Sequence, residues 1–212
     1  MTPGARAVLA LAATMAVCIA SPSLTRADQR VPAAATAQIL APPLQTPALG
    51  SAQADVTVIE YFDYNCPVCR QTEHALQKLV ARDKRVRVVY KDWPIFGAVS
   101  AYAAYCTFAA AAIGQYPAAH HALIDSKESL DSEKDVEDAL REGGLDVAKL
   151  KTLIAAHRSE YSAALTRNNS EASALALRGT PGLIIGNRLI SGALDYESLE
   201  RAVRATQAVR AQ

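Results

Sequence analysis

Cysteine is scarce in this chain, with four among 212 residues, which rules out a small scaffold held together by disulfides. Lysine and arginine form no cluster and the net charge is +1, so nothing in the charge pattern points to nucleic acid. There is no internal repeat and no run of apolar heptads. Half the residues are hydrophobic and a fifth are charged, which is the composition of a globular protein rather than a disordered or fibrous one. Long apolar runs are also missing beyond the first two dozen residues, so no later segment could span a bilayer.

The one apolar run, Ala7 to Ala20, follows Arg6 and carries no charge. A small-residue stretch with Pro and Ser follows, ending Leu24-Thr25-Arg26-Ala27. This is the pattern of a secretory signal peptide over residues 1–27, cleaved after Ala27 or alternatively after Ala20. An uncleaved anchor is the other reading, but the run is shorter than the roughly 18 apolar residues of a spanning helix. Cleavage after Ala27 leaves 185 residues with a net charge of −1 and removes Cys18, so that Cys66, Cys69 and Cys106 remain. One close pair and one extra cysteine suggest a working pair and a bystander.

Residues 28–50 hold four of the ten prolines and show no period of 3.6 or 2. They read as an extended linker; a short helix around Ala33–Leu40 is the alternative. Val56 to Phe62 is β-branched and aromatic, a strand. Asp63-Tyr64-Asn65 turns the chain, and Cys66 to about Arg82 reads as a helix with Leu76, Leu79 and Val80 on one side. Arg85–Lys91 is a second strand. From Gly97 to about Arg178 the pattern is helical: Ala98–Ile113, Ala118–Leu123, Ser132–Arg141, Asp146–His157 and Ser159–Leu177. That is too much helix for one crossover and implies an inserted helical subdomain. Gly182–Ile185, a Gly186-Asn187 turn and Arg188–Ser191 form a hairpin, and Tyr196–Val209 is a closing amphipathic helix with Leu199 and Val203 facing inward.

The chemistry resides in Cys66-Pro67-Val68-Cys69. Thiol exchange needs one accessible thiolate and a second thiol close enough to close a disulfide. At the start of a helix, free N–H groups and the macrodipole favour negative charge on Cys66 and should lower its pKa below the free value of about 8.5. Cys69, one turn in, should be more buried and stay protonated longer. Pro67 fits the first helical position, where its missing N–H costs nothing. Zinc sites also use Cys-x-x-Cys but need a second ligand pair. The candidates are Cys106, His74, His120, His121 and His157, and only His120 and His121 adjoin. A purely structural disulfide would constrain little entropy across so short a loop. A metal-binding or metal-resistance protein using Cys66 and Cys69 as soft ligands is a reading of another class.

Glu60-Tyr61-Phe62-Asp63-Tyr64-Asn65-Cys66-Pro67-Val68-Cys69-Arg70, then Lys91-Asp92-Trp93-Pro94-Ile95, then the stretch from Gly179-Thr180-Pro181-Gly182 to Gly192 closely resemble the DsbA-like family of thiol–disulfide oxidoreductases. The resemblance runs from about Leu49 to Val209. It implies an α/β, thioredoxin-like fold over residues 51–210 with the helical insertion at about 97–178. It also implies that Pro181 is the family's cis-proline opposite the cysteines, with the Thr180 backbone pairing with an extended substrate peptide. Glu60, inside an apolar strand, matches the buried acid that moves a proton to or from the second cysteine, with Lys91 as its expected partner; a solvent-facing pair at a strand edge is the alternative. The catalytic set is therefore Cys66, Cys69, Pro181, Glu60 and Lys91, with no cofactor and no metal. The family implies a periplasmic protein that donates disulfides to exported proteins with free or mispaired cysteines, and residues 28–50 lack the apolar periodicity of an oligomerising extension, which favours a monomer. A DsbB-like membrane partner would reoxidise it, or a DsbD-like one would serve it as a reductase or isomerase.

One departure matters. The strongest oxidant of that family has a histidine where Val68 stands, with a pKa of about 3.5 and a potential of about −120 mV. Val68 supplies no charge, so a less depressed Cys66 pKa and a less oxidising potential are expected. Cys106 reads as a small buried hydrophobe, His120 as a satisfied structural histidine, and Tyr64, Trp93 and Phe96 as core or groove wall near the cysteines.

Overall fold

The computed structural model describes residues 29–40, 47–127 and 129–210. The proposed signal peptide lies outside the described residues. At the centre, β3 (Val56–Phe62) runs parallel to β4 (Val86–Asp92), and β5 (Gly182–Ile185) lies antiparallel to β3 on its other side. β6 (Arg188–Ser191) completes the hairpin. Its turn uses Gly186 at a φ of +63°, where an added Cβ would come within 2.5 Å of Thr206. The six-stranded order is β1 (Gln29–Arg30), β6, β5, β3, β4, β2 (Ala48–Leu49).

β3 alternates between two cores. Val56, Val58 and Phe62 face one side with Val86, Val88 and Tyr90 of β4. That side is covered by α2 (Pro67–Arg82), α7 (Tyr196–Arg210) and the inserted helices. Ile59 and Tyr61 face the other, with Val89, Trp93 and Ile184. Between β4 and β5 come α3 (Ala98–Ala112), α4 (Tyr116–Ile124), α5 (Glu133–Glu142) and α6 (Val147–Ala174). Helix α5 starts with a reciprocal capping box between Ser132 and Asp135. Helix α6 is kinked at His157, a single non-helical residue (φ −118°, ψ 17°) that falls where the break between two helices is expected. Its second half carries Ala172 onto the second core, so one helix belongs to both the insertion and the sheet.

The stretch expected to be an extended linker is in part folded. β1 (Gln29–Arg30) pairs with β6, and the Val31 N–H donates to the Asn187 carbonyl at 2.7 Å. Helix α1 (Ala33–Leu40) follows Pro32, and β2 (Ala48–Leu49) pairs with β4. Among the described residues of this arm only Val31 and Ile39 are buried, 3% and 5% exposed. Two anchors separated by alanines leave no periodic signal, which is why the pattern reads as unstructured.

Candidate active site

The turn out of β3 is built by Asp63. Its Oδ1 accepts the Asn65 N–H at 2.8 Å, and its Oδ2 accepts the N–H groups of Ile95 and Phe96 at 2.7 and 3.0 Å. The Asn65 side chain donates to the Leu130 carbonyl at 3.0 Å. The entry to the cysteines is thereby tied to the loop after β4 and to the insertion. Sequence reasoning did not single out Asp63 or Asn65 as positioning residues. The available signal was an aspartate two residues before an asparagine at a strand end, the pattern of a side-chain-supported turn.

Cys66 is the N-cap of α2, with extended backbone (φ −84°, ψ 109°) and Pro67 directly after it. Its Sγ accepts the Cys69 N–H at 3.2 Å, the bond a serine or aspartate would make at an ordinary cap. The Thr180–Pro181 bond is cis, and the Thr180 carbonyl oxygen is 3.5 Å from the same sulfur. The three segments singled out in the sequence thus converge. Cys66 is less accessible than expected, at 2% exposed against 1% for Cys69, because the loop carrying Pro181 folds over the helix start.

The two thiols are set far apart in acidity. The neighbouring Cys69 thiol lowers the Cys66 pKa most; burial opposes this, and the Thr180 hydroxyl and the Cys69 and Val68 backbone N–H groups add to it, for a value of about 6. Burial raises Cys69, reinforced by its bond to the Cys66 sulfur and by the charge of Glu60. Cys66 is therefore the thiolate and Cys69 the reserve of a proton.

Glu60 is 1% exposed, and its Oε1 has no hydrogen-bond partner among the described residues. Burial holds its carboxyl well above the usual range, and Glu73 and Cys66 add to the rise through their charges. Lys91 is not its partner. The β3–β4 register sets Glu60 opposite Tyr90 and Tyr61 opposite Lys91, so the lysine emerges on the other face of the sheet. There its Nζ lies 3.0 Å from Glu171, which also accepts the Tyr61 hydroxyl at 3.1 Å. Adjacent strand positions point to opposite faces, so a place at the end of the neighbouring strand does not bring Lys91 to Glu60.

His120 sits in an aromatic box. Its Nδ1 is 2.9 Å from the Tyr64 hydroxyl and 3.1 Å from that of Tyr116, and its ring lies 4.4 Å from that of Tyr90. Its Nε2 approaches Glu73 Oε1 at 3.5 Å, close enough for charge attraction but without hydrogen-bond geometry. Tyr64 and Trp93 are core residues, whereas Val68, Ile95 and Phe96 stand 43%, 43% and 54% exposed. Burial pushes the Cys106 thiol up to about 12, too high for ready reaction. Among the described residues no group of three or more His, Cys, Asp or Glu is arranged to hold a metal ion, and no helix is long and apolar enough to cross a membrane.

A thioredoxin sheet that presents a capped thiolate, a buried second thiol and a facing cis-proline defines a thiol–disulfide oxidoreductase. Residues 57–204 match the model of the DSBA-like thioredoxin domain, and the chain belongs to that family. A thioredoxin-like oxidoreductase from Silicibacter pomeroyi DSS-3 is 37% identical, with a TM-score of 0.72 over 76% of this chain and 92% of that one. The catalytic domain of Proteus mirabilis ScsC is 27% identical, with a TM-score of 0.73 over 82% and 96%. A periplasmic thioredoxin-like protein from Salmonella enterica serovar Typhimurium is 25% identical, with a TM-score of 0.72 over 85% and 99%. Among curated relatives, a Na(+)/H(+) antiporter NhaA 1 of Salinispora arenicola is 28% identical over 156 residues, and this chain spans about a quarter (24%) of its length.

Proposed function

We propose that this protein is an exported disulfide donor, whose Cys66–Cys69 disulfide oxidises the dithiols of proteins in the periplasm. The observation that carries this reading is the stabilised Cys66 thiolate. A site that lowers the Cys66 pKa to about 6 favours its own reduced form, and so favours passing the disulfide to a substrate. Export is supported by the signal-peptide pattern of residues 1–27 and by likeness to a periplasmic relative.

A substrate thiolate attacks Cys66, the Cys66–Cys69 bond breaks, and its electron pair goes to Cys69. Cys69, whose thiolate is disfavoured by burial, takes the proton held on Glu60. The substrate's second thiolate then attacks its own sulfur in the mixed disulfide, and Cys66 leaves as a thiolate. The Thr180 backbone beside Pro181 pairs with the substrate peptide, and Val68, Ile95 and Phe96 offer an apolar rim for it. A DsbB-like membrane partner restores the disulfide.

The redox state of the pair in living cells tests this. Alkylation of thiols in freshly quenched cells should show Cys66 and Cys69 mostly oxidised. A mostly reduced pair would make the protein a reductase or isomerase supplied by a DsbD-like partner and would overturn the donor reading.

A further inference from the structure

The surface beside the cis-proline loop carries charge of one sign. A groove of about 820 Å³ lies between β6 and the start of α7, and Arg178, Arg188 and Arg201 line it together with Ser191, Leu194 and Ser198. Among the described residues no aspartate or glutamate lines it. The whole chain is close to neutral, so three guanidinium groups around one opening are a local excess. Elsewhere, arginines that gather are neutralised. The crevice lined by Arg82, Arg85 and Arg204 also holds Asp83 and Glu200, with Arg85 at 2.9 Å from Asp83 and Arg204 at 3.2 Å from Glu200. In the groove, Arg178 is exposed, and its guanidinium makes no hydrogen bond or ion pair among the described residues. Arg201 is also exposed, and its Nη2 donates to the Ser198 hydroxyl at 2.8 Å, a neutral partner that leaves the charge uncancelled. Of the acids at the start of α7, Asp195 accepts the Ser198 N–H at 2.8 Å and Glu200 is bound to Arg204; neither they nor Glu197 line the groove.

This groove is continuous with the site. Arg178 stands two residues before Thr180, a separation of at most about 7 Å in extended chain. The Thr180 carbonyl oxygen is 3.5 Å from the Cys66 sulfur. On the other wall, Ser191 is the register partner of Gly182, and the Gly192 N–H donates to the Pro181 carbonyl at 2.8 Å. The chain that leads to Leu194 is therefore fastened directly to the cis-proline.

We infer that Arg178 and Arg201 form a selectivity site for polypeptide substrates with aspartate or glutamate close to the reacting cysteine. A peptide lying on the Thr180 backbone advances about 3.3 Å per residue, so a carboxylate within about three residues of its cysteine reaches the groove. Each guanidinium offers a planar fork of donors that matches a carboxylate. Arg188, half-buried on the hairpin, adds to the positive field. The groove leaves the exchange of sulfur bonds unchanged and acts on which substrates are held long enough to exchange.

This selectivity rests on Cys66 exchanging disulfides with polypeptides at the Thr180 backbone, and it holds in whichever direction exchange runs. A mostly reduced pair in cells would overturn the donor reading and leave the groove's preference standing. Three two-cysteine peptides test it, identical except for Glu, Gln or Lys at the positions flanking the first cysteine. Loss of peptide thiols is followed in acid-quenched samples after mixing with the oxidised protein. Each rate is divided by that peptide's rate with hydroxyethyl disulfide, an uncharged reagent, which removes the effect of the flanking charges on the peptide's own thiols. At low salt the Glu peptide should react about fivefold faster than the Gln peptide, the yield of two exposed ion pairs, and the Lys peptide more slowly than either. The spread should collapse in 1 M sodium chloride, where charges are screened beyond about 3 Å. Arg178→Glu combined with Arg201→Glu should reverse the order of the peptides. A merely structural effect slows all three alike and reverses nothing. Should that double variant fail to fold, Arg178→Ala with Arg201→Ala decides, and in it the Glu and Gln peptides should react equally. Equal rates for those two peptides in the wild type, or a preference that survives in the double variants, would overturn the selectivity site. Oxidised protein that dithiothreitol reduces but that exchanges with none of the peptides would overturn the polypeptide-exchange reading itself, and the selectivity site with it.

Discussion

Glu60 and Lys91 stand on opposite faces of the same sheet, one register step apart across the parallel β3–β4 pair, with the lysine bound to Glu171 at 3.0 Å. Glu60, the acid proposed to serve Cys69, is thus insulated from the nearest buried cation by the thickness of the sheet. Burial lowers the Lys91 pKa, and Glu171 opposes this.

Removing Lys91 should therefore cost stability without touching proton transfer. Lys91→Met leaves Glu171 without its cation in a nearly closed site and should lower stability by about 3 kcal/mol. Thermal melting reads the loss, and dithiothreitol reduction should keep its wild-type pH profile. A profile altered as in Glu60→Gln would mean that the lysine reaches the acid after all.

The pair on the helix start responds to pH and to substitution together. Cys69→Ala removes the thiol that lowers Cys66 most, so the Cys66 pKa should rise from about 6 toward the ordinary thiol range. Ultraviolet thiolate absorbance against pH measures it, and the same variant should accumulate mixed disulfides with substrate. Because the folded pKa of Cys66 is depressed, its contribution to the stability of the reduced protein is complete above the unfolded value near 9 and is lost as pH falls through about 6. The melting difference between reduced and oxidised protein should shrink across that window.

Val68, 43% exposed beside the thiolate, is a place where charge can be added without disturbing the core. Val68→His should lower the Cys66 pKa further and make the protein more oxidising, by about 30 mV for each 1.4 kcal/mol of thiolate stabilisation. Equilibration with glutathione measures the change. An unchanged potential would mean that charge at this position does not reach the sulfur.

Asp92 is a second costly carboxyl in the core. It is 2% exposed, neither oxygen has a hydrogen-bond partner of good geometry among the described residues, and burial raises its pKa to about 8. A carboxyl with a raised folded pKa weakens the fold as pH climbs from its unfolded value near 3.8 to about 8. Asp92→Asn should flatten that decline and add about 2 kcal/mol at neutral pH, read by denaturant unfolding at several pH values. A variant as pH-sensitive as the wild type would place the decline elsewhere.

The chemistry was legible because short-range rules govern it. Two cysteines three apart after a strand, with proline between them, place a sulfur at a helix N-terminus whatever the rest of the chain does. Helices in the insertion announced themselves by period, and even the break at His157 fell between two of them. What escaped notice depends on long-range packing. The parity that separates Glu60 from Lys91 is set by strand register. The Glu73–His120 contact joins residues of α2 and α4 that no pattern connects, and His120 alone looked like an ordinary core histidine. Asp63 reaches Ile95 and Phe96 from more than thirty positions away. Among its described residues the arm before β3 buries only two side chains, too few to leave a signature.

The sulfur that caps α2 is also the sulfur that changes partners. An ordinary N-cap is a permanent fixture, whereas here the acceptor for the Cys69 N–H is a thiolate in one half of the cycle and a divalent, uncharged sulfur in the other. The first turn of the helix is consequently fastened by a charge-assisted hydrogen bond in the reduced protein and by the Cys66–Cys69 bond itself in the oxidised one. The helix carries the reaction's electron count in the way its start is fastened: amide exchange at Cys69 would differ between the two halves of the cycle, and a partner protein could distinguish spent from charged molecules by the fastening of that single turn.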